Sequence, residues 1–289
     1  MRMRGALVAV LALFLAACGG GESGGGGDGP IQLGQIASLT GNYTPLGTND
    51  EKGAAQAVEE INAAGGVLGG RQLQITVRDD KTQPDQAVIA YNDLVDQGVA
   101  AVVGSSFSNS SLAAIPIAER NEIPYVSTAA ADEQVEPVQA YGFMTPPTAG
   151  AVAEQLLRYF QASGMTRMAV AYDTQSAFAA TGWTKQKELA GQYGIEFVAE
   201  EVFETGTTNF SPVFTHVRES GAQGLMVWAT GAPAVIVTKQ FDTAGLDIPL
   251  VMSHAEASTL YTEPAGPAAE GVIVASSLAV IGPHLPTRS

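Results

Sequence analysis

The chain has 289 residues, 46% of them apolar and 15% charged; that is ample for one large packed core or two ordinary ones, and too little charge for a disordered chain. Its 29 acidic and 14 basic residues give a net charge of −15, which excludes a protein that neutralises nucleic-acid phosphates with its own cations. A lone cysteine excludes an internal disulfide and a Cys-based zinc site, and three histidines leave little material for a His-rich metal centre.

Met1 to Arg4 is a short basic start, and Gly5 to Ala17 is an uncharged, mostly aliphatic run. That run is well short of the roughly 20 residues that span a bilayer. Residues 1–17 therefore read as a secretory signal. Leu15-Ala16-Ala17-Cys18 resembles a bacterial lipobox, in which the cysteine is diacylated and becomes the first mature residue. An ordinary signal with a chance cysteine nearby is the bland alternative. Cleavage there removes two arginines and no acid, so the mature chain is more acidic still. Eight of the eleven residues from Gly19 to Gly29 are glycine, a composition that buries no apolar surface. Residues 18–30 are expected to be a flexible tether; about 12 such residues have an r.m.s. span of roughly 19 Å.

The body alternates strand and helix. Ile31 to Ala37 reads as a strand. Asp50 to Ala64 reads as a helix with Ala54, Ala57, Val58 and Ile61 on one face, ended by Gly65-Gly66. Leu73, Ile75 and Val77 alternate with polar residues, a strand pattern. Pro84 to Gln97 is the next helix, with proline at its start and Gly98 after its end. Ala100 to Val103 reads as a buried strand, Ser110 to Asn121 as a helix and Tyr125 to Ser127 as a strand. A second series follows: helices Thr148–Ala162, Thr181–Tyr193, Pro212–Ser220 and Pro233–Ala244 precede strands Met168–Tyr172, Ile195–Phe203, Leu225–Ala229 and Pro249–Met252, with Val272–Ala275 last. For the second helix the order is strand Met168–Tyr172 before it and Ile195–Phe203 after it. Repeated strand–helix units with apolar strands imply α/β architecture: two doubly wound parallel sheets, joined near Phe143 to Thr148, where Pro146-Pro147 interrupts helix formation. The expected division is lobe 1 over residues 31–144, lobe 2 over 145–276, and a return toward lobe 1 over 277–289.

Enzyme signatures are absent from the sequence. It has no G-x-x-x-x-G-K-[ST] loop, no G-x-S-x-G elbow, no H-E-x-x-H and no C-x-x-C. Asp79-Asp80 at a strand end reads as a solvated edge or a cap, His216 as a structural helix residue beside Phe214 and Val217, and His284 as part of a frayed tail. A binding reading is stronger. Gly104 to Ser110 follows a buried strand and opens a helix, and open α/β sheets bind ligands at the carboxyl ends of their strands. A helix N-terminus there offers free N–H groups to an anion, and serine adds a hydroxyl. The same serines would also serve simply to cap the helix. Ser127 to Ala131 forms a second small-residue loop on the same side, and the two loops together could grip one carboxylate.

Leu39-Thr40-Gly41, Leu46-Gly47, Gly53-Ala54 and Glu59-Glu60-Ile61-Asn62-Ala63-Ala64-Gly65-Gly66-Val67 resemble the opening signature of type 1 periplasmic ligand-binding proteins, in the branch serving branched-chain amino acid ABC transporters. Asp79-Asp80, Gln97-Gly98-Val99, Val102-Val103-Gly104, Ser108, Asn209-Phe210-Ser211 and Ala265 to Val272 continue the resemblance in order, from about Ile31 to Ala275. The resemblance implies two lobes with a hinge that close on a small polar ligand, an amino acid or related carboxylate. It implies no cofactor, no metal and no catalysis. It further implies a monomer working with ABC permease subunits at the periplasm or the outer face of the cell membrane, there held by a lipid on Cys18. A sensor of the same fold without a transport role is the alternative, and a secreted α/β enzyme a more distant one.

By the same resemblance, Ser108 hydrogen-bonds the ligand carboxylate, and the peptide groups of Ala129, Ala130 and Ala131 add contacts. Phe178 stacks on the ligand, and Thr230, in Trp228-Ala229-Thr230-Gly231, lies in a further pocket segment. His254 falls where amino-acid binders carry an acid for the ammonium, with Glu256 two residues on. Ala131 stands where a threonine is common. His254 and Ala131 are departures that weigh against a leucine-like ligand. Family members also run on beyond this point, so the chain reads as a fragment or incomplete gene product whose return to lobe 1 is cut short.

Overall fold

The computed structural model describes residues 29–276. The signal, Cys18, most of the tether, the return over 277–289 and His284 lie outside the described residues.

Residues 31–144 build one five-stranded parallel sheet. Its strands are β1 (Ile31–Ala37), β2 (Leu73–Asp79), β3 (Ala101–Val103), β4 (Tyr125–Ser127) and β5 (Gly142–Met144), in the order β2-β1-β3-β4-β5. Helices α1 (Thr44–Ala63), α2 (Pro84–Asp96) and α3 (Ser108–Asn121) make the crossovers. Right-handed crossovers that reverse direction along the sheet put α1 on one face and α2 and α3 on the other. A second parallel sheet, β10-β9-β8-β6-β7, follows: β6 (Arg167–Asp173), β7 (Glu196–Phe203), β8 (Leu225–Trp228), β9 (Leu250–Met252) and β10 (Ile273–Val274). Its helices are α4 (Ala149–Ala162), α5 (Ala177–Ala190), α6 (Ser211–Ser220), α7 (Ala232–Ala244) and α8 (Thr259–Ala265). The expected α/β class with two parallel sheets is therefore what the chain adopts.

The two sheets are buried differently. In the second, Met168, Val170, Met226 and Val251 pack on α4 and α5, while Ala169, Ala171, Leu225, Val227 and Met252 pack on α6 and α7. Both faces are cores. In the first, one cluster forms, where Ile36, Val102 and Tyr125 meet Tyr91 and Leu94 of α2 and Ile115 of α3. On the opposite face Val103, Val126 and Phe143 stand in register across β3, β4 and β5, and they stay partly exposed among the described residues. Phe143 is 48% exposed.

Several boundaries moved for local reasons. Helix α1 starts at Thr44, six residues before the expected Asp50, because Pro45 sits in its first turn, where a missing N–H costs nothing. Helix α5 starts at Ala177 instead of Thr181, since the Ser176 hydroxyl accepts from Ala179 N–H as an N-cap. Helix α3 starts at Ser108, not Ser110. Strand β5 occupies what read as the connection, being three residues long and too short to show alternation. Helix α8 was not foreseen; Ser258 caps it and Pro264 lies inside it. No described helix is long and apolar enough to cross a membrane.

Candidate ligand-binding cleft

The carboxyl ends of the two sheets face each other across a cavity of about 230 Å³. Lobe 1 contributes Tyr43, Leu46, Asp50, Ser106, Ser108, Thr128, Ala129 and Ala130 to its walls; lobe 2 contributes Phe178, Thr230, His254, Ala255 and Ser258, with Pro146 between them.

On the lobe 1 side a buried hydroxyl network holds two loops in place. The Ser38 hydroxyl donates to Asp80 Oδ1 at 2.7 Å and lies 3.2 Å from Ser105 Oγ, which accepts from Phe107 N–H at 3.0 Å. The Tyr125 hydroxyl accepts from Ser105 N–H at 3.0 Å and lies 3.0 Å from Ser111 Oγ. Ser127 donates to Ser111 and accepts from Ala129 N–H. The loop after β3 is thereby tied to the loop after β4. The first turn of α3 opens toward the cavity, and its orphan N–H groups carry partial positive charge. Ser108 Oγ accepts from Ala131 N–H at 3.3 Å, which leaves its own proton available to a ligand.

Asp80 is fully buried, so it is not the solvated edge expected of it; it anchors Ser38 and accepts from Thr82 N–H. Asp79 is the cap, accepting from Leu39, Thr40 and Lys81 N–H groups and from the Thr40 hydroxyl. His216 lies on helix α6, where it faces solvent with its Nδ1 3.1 Å from Glu201.

On the lobe 2 side, Phe178 in the first turn of α5 is buried and meets Trp228 and His254 edge to face, each at 5.6 Å between ring centroids. The Trp228 indole N–H is held by Gln186 Oε1 at 2.9 Å, which fixes the aromatic floor. Burial pushes the His254 imidazole down to about 4, and its Nδ1 has no partner. Burial pushes the Glu256 carboxyl up to about 8, against the opposing pull of the Ser253 hydroxyl bonded to it at 2.8 Å. Burial likewise raises the Asp50 carboxyl, opposed by the Thr128 and Ser106 hydroxyls.

The lobes touch beyond the cavity. The Asn109 side chain spans the gap with two bonds: Nδ2 donates to Gln175 C=O at 3.0 Å, and Oδ1 accepts from Ala177 N–H at 2.9 Å. Tyr43 reaches across to lie 3.2 Å from Ser176 Oγ, and Glu133 accepts from the Thr181 hydroxyl. Gly231 has φ of +70°, and a Cβ there would overlap the Asn42 carbonyl of the other lobe. The conformation is closed.

Of the residues singled out in the sequence, Ser108, Ala129, Ala130, Phe178, Thr230 and His254 converge on this cavity. Ala131 does not line it; its N–H is spent on Ser108. Glu256 turns away to Ser253 and lines a small neighbouring hollow with Leu260 and Tyr261. The peptide contacts expected of the 129–131 loop are fewer than its length suggests, because Ala129 N–H serves Ser127 and Ala130 C=O serves Ala149 N–H. Tyr43, Leu46 and Asp50 were missed, and Thr128 was read only as part of the 127–131 loop. Leu46 and Asp50 are four apart on one helix, so they share a face, but that signal is legible only once the helix is known to start at Thr44. Among the described residues no group of three or more His, Cys, Asp or Glu side chains could hold a metal ion.

Two α/β lobes closed over a cavity between the carboxyl ends of their strands define a two-lobed ligand-binding protein. The model of the periplasmic binding protein family matches residues 30–280, and the chain belongs to that family. A leucine-, isoleucine-, valine-, threonine- and alanine-binding protein of Pseudomonas aeruginosa is 27% identical over 251 residues, covering 84% of this chain and 65% of that protein. The chain thus spans about two thirds of the length of such relatives. The branched-chain amino acid transporter substrate-binding protein of Streptococcus pneumoniae, solved with isoleucine, is 27% identical with a TM-score of 0.75, over 82% of this chain and 67% of that one. An ABC transporter solute-binding protein of R. palustris, solved with 4-hydroxybenzoate, has a TM-score of 0.76 at 22% identity, over 84% of this chain and 67% of that one, and shares the fold.

Proposed function

We propose that the protein is a lipid-anchored, extracytoplasmic solute-binding protein that captures a small carboxylate-bearing solute between lobe 1 (31–144) and lobe 2 (145–276) and delivers it to an ABC permease. The observation that carries the reading is the convergence, at the carboxyl ends of both sheets, of the α3 N-terminus, the free Ser108 proton and an aromatic floor. A carboxylate set against Ser108 and the first N–H groups of α3 meets neutral donors only, the arrangement by which helix termini bind anions. Phe178 and the Trp228 behind it give the solute's apolar part a surface, and Thr230 and His254 close the lobe 2 side. Ala131 acts through Ser108, whose acceptor side it occupies. Binding is by closure of the lobes, with no covalent step. The names of the relatives, transporter components that bind amino acids, support both the solute class and the permease. The anchor rests on Cys18 at the lipobox position, where two acyl chains hold a protein stably on a bilayer.

One experiment addresses both halves. The 289-residue chain is produced in a bacterium, extracted from the membrane fraction and weighed by native mass spectrometry. The expected species begins at a diacylated Cys18 and carries a small organic acid that is lost on denaturation. A soluble, unlipidated chain would sink the anchor; a lipidated chain without affinity for any carboxylate would sink the ligand class.

A further inference from the structure

The cavity has a charge problem that the proposed function leaves open. A carboxylate placed at Ser108 would share the cavity with Asp50, and among the described residues no lysine or arginine lines the walls. Asp50 takes part in no ion pair among the described residues. The neutral Thr128 hydroxyl donates to its Oδ2 at 2.7 Å, and the Ser106 hydroxyl lies on it as well. Among the described residues the one imidazole lining the cavity, His254, is held neutral by its burial and brings no positive charge. The described residues of lobe 2 that line the cavity therefore carry no cation to balance either carboxylate.

The geometry points to Asp50 as a cation subsite: the solute is a zwitterion whose ammonium group lies against the Asp50 carboxylate while its own carboxylate lies against Ser108. The inference rests on the carboxylate-binding reading above and names the partner charge within it. Thr128, which holds Asp50, directly precedes Ala129 in the loop whose Ala131 N–H holds Ser108. The two subsites thus stand on the same lobe and line the same cavity, each held by one end of the loop over residues 128–131. Asp50 projects from the same face of α1 as Leu46, so the helix presents an apolar and an anionic contact together. Gly47 between them allows this close seat: a Cβ there would overlap the backbone of Ser38. The counter-charge for the ammonium stands on the first lobe, not in the His254 segment of the second.

The opposite expectation is equally definite. If Asp50 only braces Thr128, removing its charge would disturb every ligand alike. A bound ammonium would make the effect depend on the ligand's charge.

Calorimetric titration of the 289-residue chain with matched pairs separates these. The probes are L-alanine with propanoate, L-leucine with 4-methylpentanoate, and L-phenylalanine with 3-phenylpropanoate. In the unaltered chain at least one amino acid is expected to bind roughly tenfold or more tighter than its deaminated partner. Asp50→Asn should weaken that amino acid by roughly 10–100-fold and leave the deaminated acid unchanged or tighter, because a repulsive charge has gone. Ser108→Ala should weaken both members of the pair. Deaminated acids binding as well as amino acids in the unaltered chain would overturn the cation subsite and leave the carboxylate reading standing; so would equal losses for both members in Asp50→Asn. Should no probe with a carboxylate bind at all, both readings fall together. The comparison within the unaltered chain needs no variant, so it stands even if Asp50→Asn does not fold.

Discussion

His254 and Glu256 sit two residues apart after β9 and titrate in opposite senses. Burial holds the His254 imidazole near 4, below its ordinary 6.5, so the unfolded chain binds its proton first and stability from this group rises between about pH 4 and 6.5. Burial holds the Glu256 carboxyl near 8, above its ordinary 4.5, so the folded chain binds that proton more tightly and stability from this group falls between about pH 4.5 and 8. The two slopes oppose each other up to 6.5, and only the fall remains beyond it. Chemical denaturation as a function of pH should show a decline from pH 6.5 to 8 that Glu256→Gln removes. A decline that persists in a folded Glu256→Gln chain would assign it to another group. At this scale the sequence was informative where a residue's placement follows from its loop, as with Ser108 at the start of a helix after a buried strand. It did not show that Asp80 is buried, because its hydroxyl partner Ser38 stands far back along the chain, nor that Glu256 turns to Ser253, because that local bond is chosen by the packing of the segment and not by its spacing.

Elements were legible where period and punctuation agree, and less so where a cap alone fixes the boundary. Pro84 and Gly98 bracket α2 in the sequence as in the structure, whereas the starts of α1 and α5 are set by Pro45 and Ser176, ahead of their apolar stripes. The start of α5 matters for function, since the turn at 175–177 is what the Asn109 side chain of α3 grips. Asn109 is not among the lining residues of the cavity, yet it joins the helix that carries Ser108 to the helix that carries Phe178. Each neutral hydrogen bond is worth about 0.5–1.5 kcal/mol net, and the lower end applies to this partly exposed pair. Asn109→Ala should therefore destabilise the closed form by about 1 kcal/mol and weaken the bound solute by roughly fivefold, with no ligand contact removed. Small-angle scattering should show the ligand-free variant more open than the parent. Unchanged affinity and an unchanged scattering profile would mean that closure does not depend on this bridge.

Across the whole molecule the two lobes differ in how their sheets are protected. Val170 and Ala171 of β6 point to opposite faces, and each joins an apolar cluster, so opening that strand exposes two cores. In β3 Val102 joins a cluster under α2 and α3, while its neighbour Val103 faces the side on which Val126 and Phe143 are partly exposed. Apolar burial sets much of the free energy of local opening, so the lobe with one core among the described residues should open more readily than the lobe with two. The consequence reaches the proposed function: Ser108, Asp50 and the 128–131 loop all stand on the lobe expected to be less protected, and a solute that bridges to lobe 2 is expected to order them. Hydrogen exchange on the ligand-free chain should find the amides of Val103 and Val126 exchanging roughly tenfold or more faster than those of Val170 and Ala171, a gap of about 1.4 kcal/mol in opening free energy. A bound solute should narrow that gap, because it stabilises only the state in which both lobes are formed. Equal protection of the two strands without ligand would show that the Val103–Val126–Phe143 face is covered in solution, and the asymmetry between the lobes would have to be abandoned.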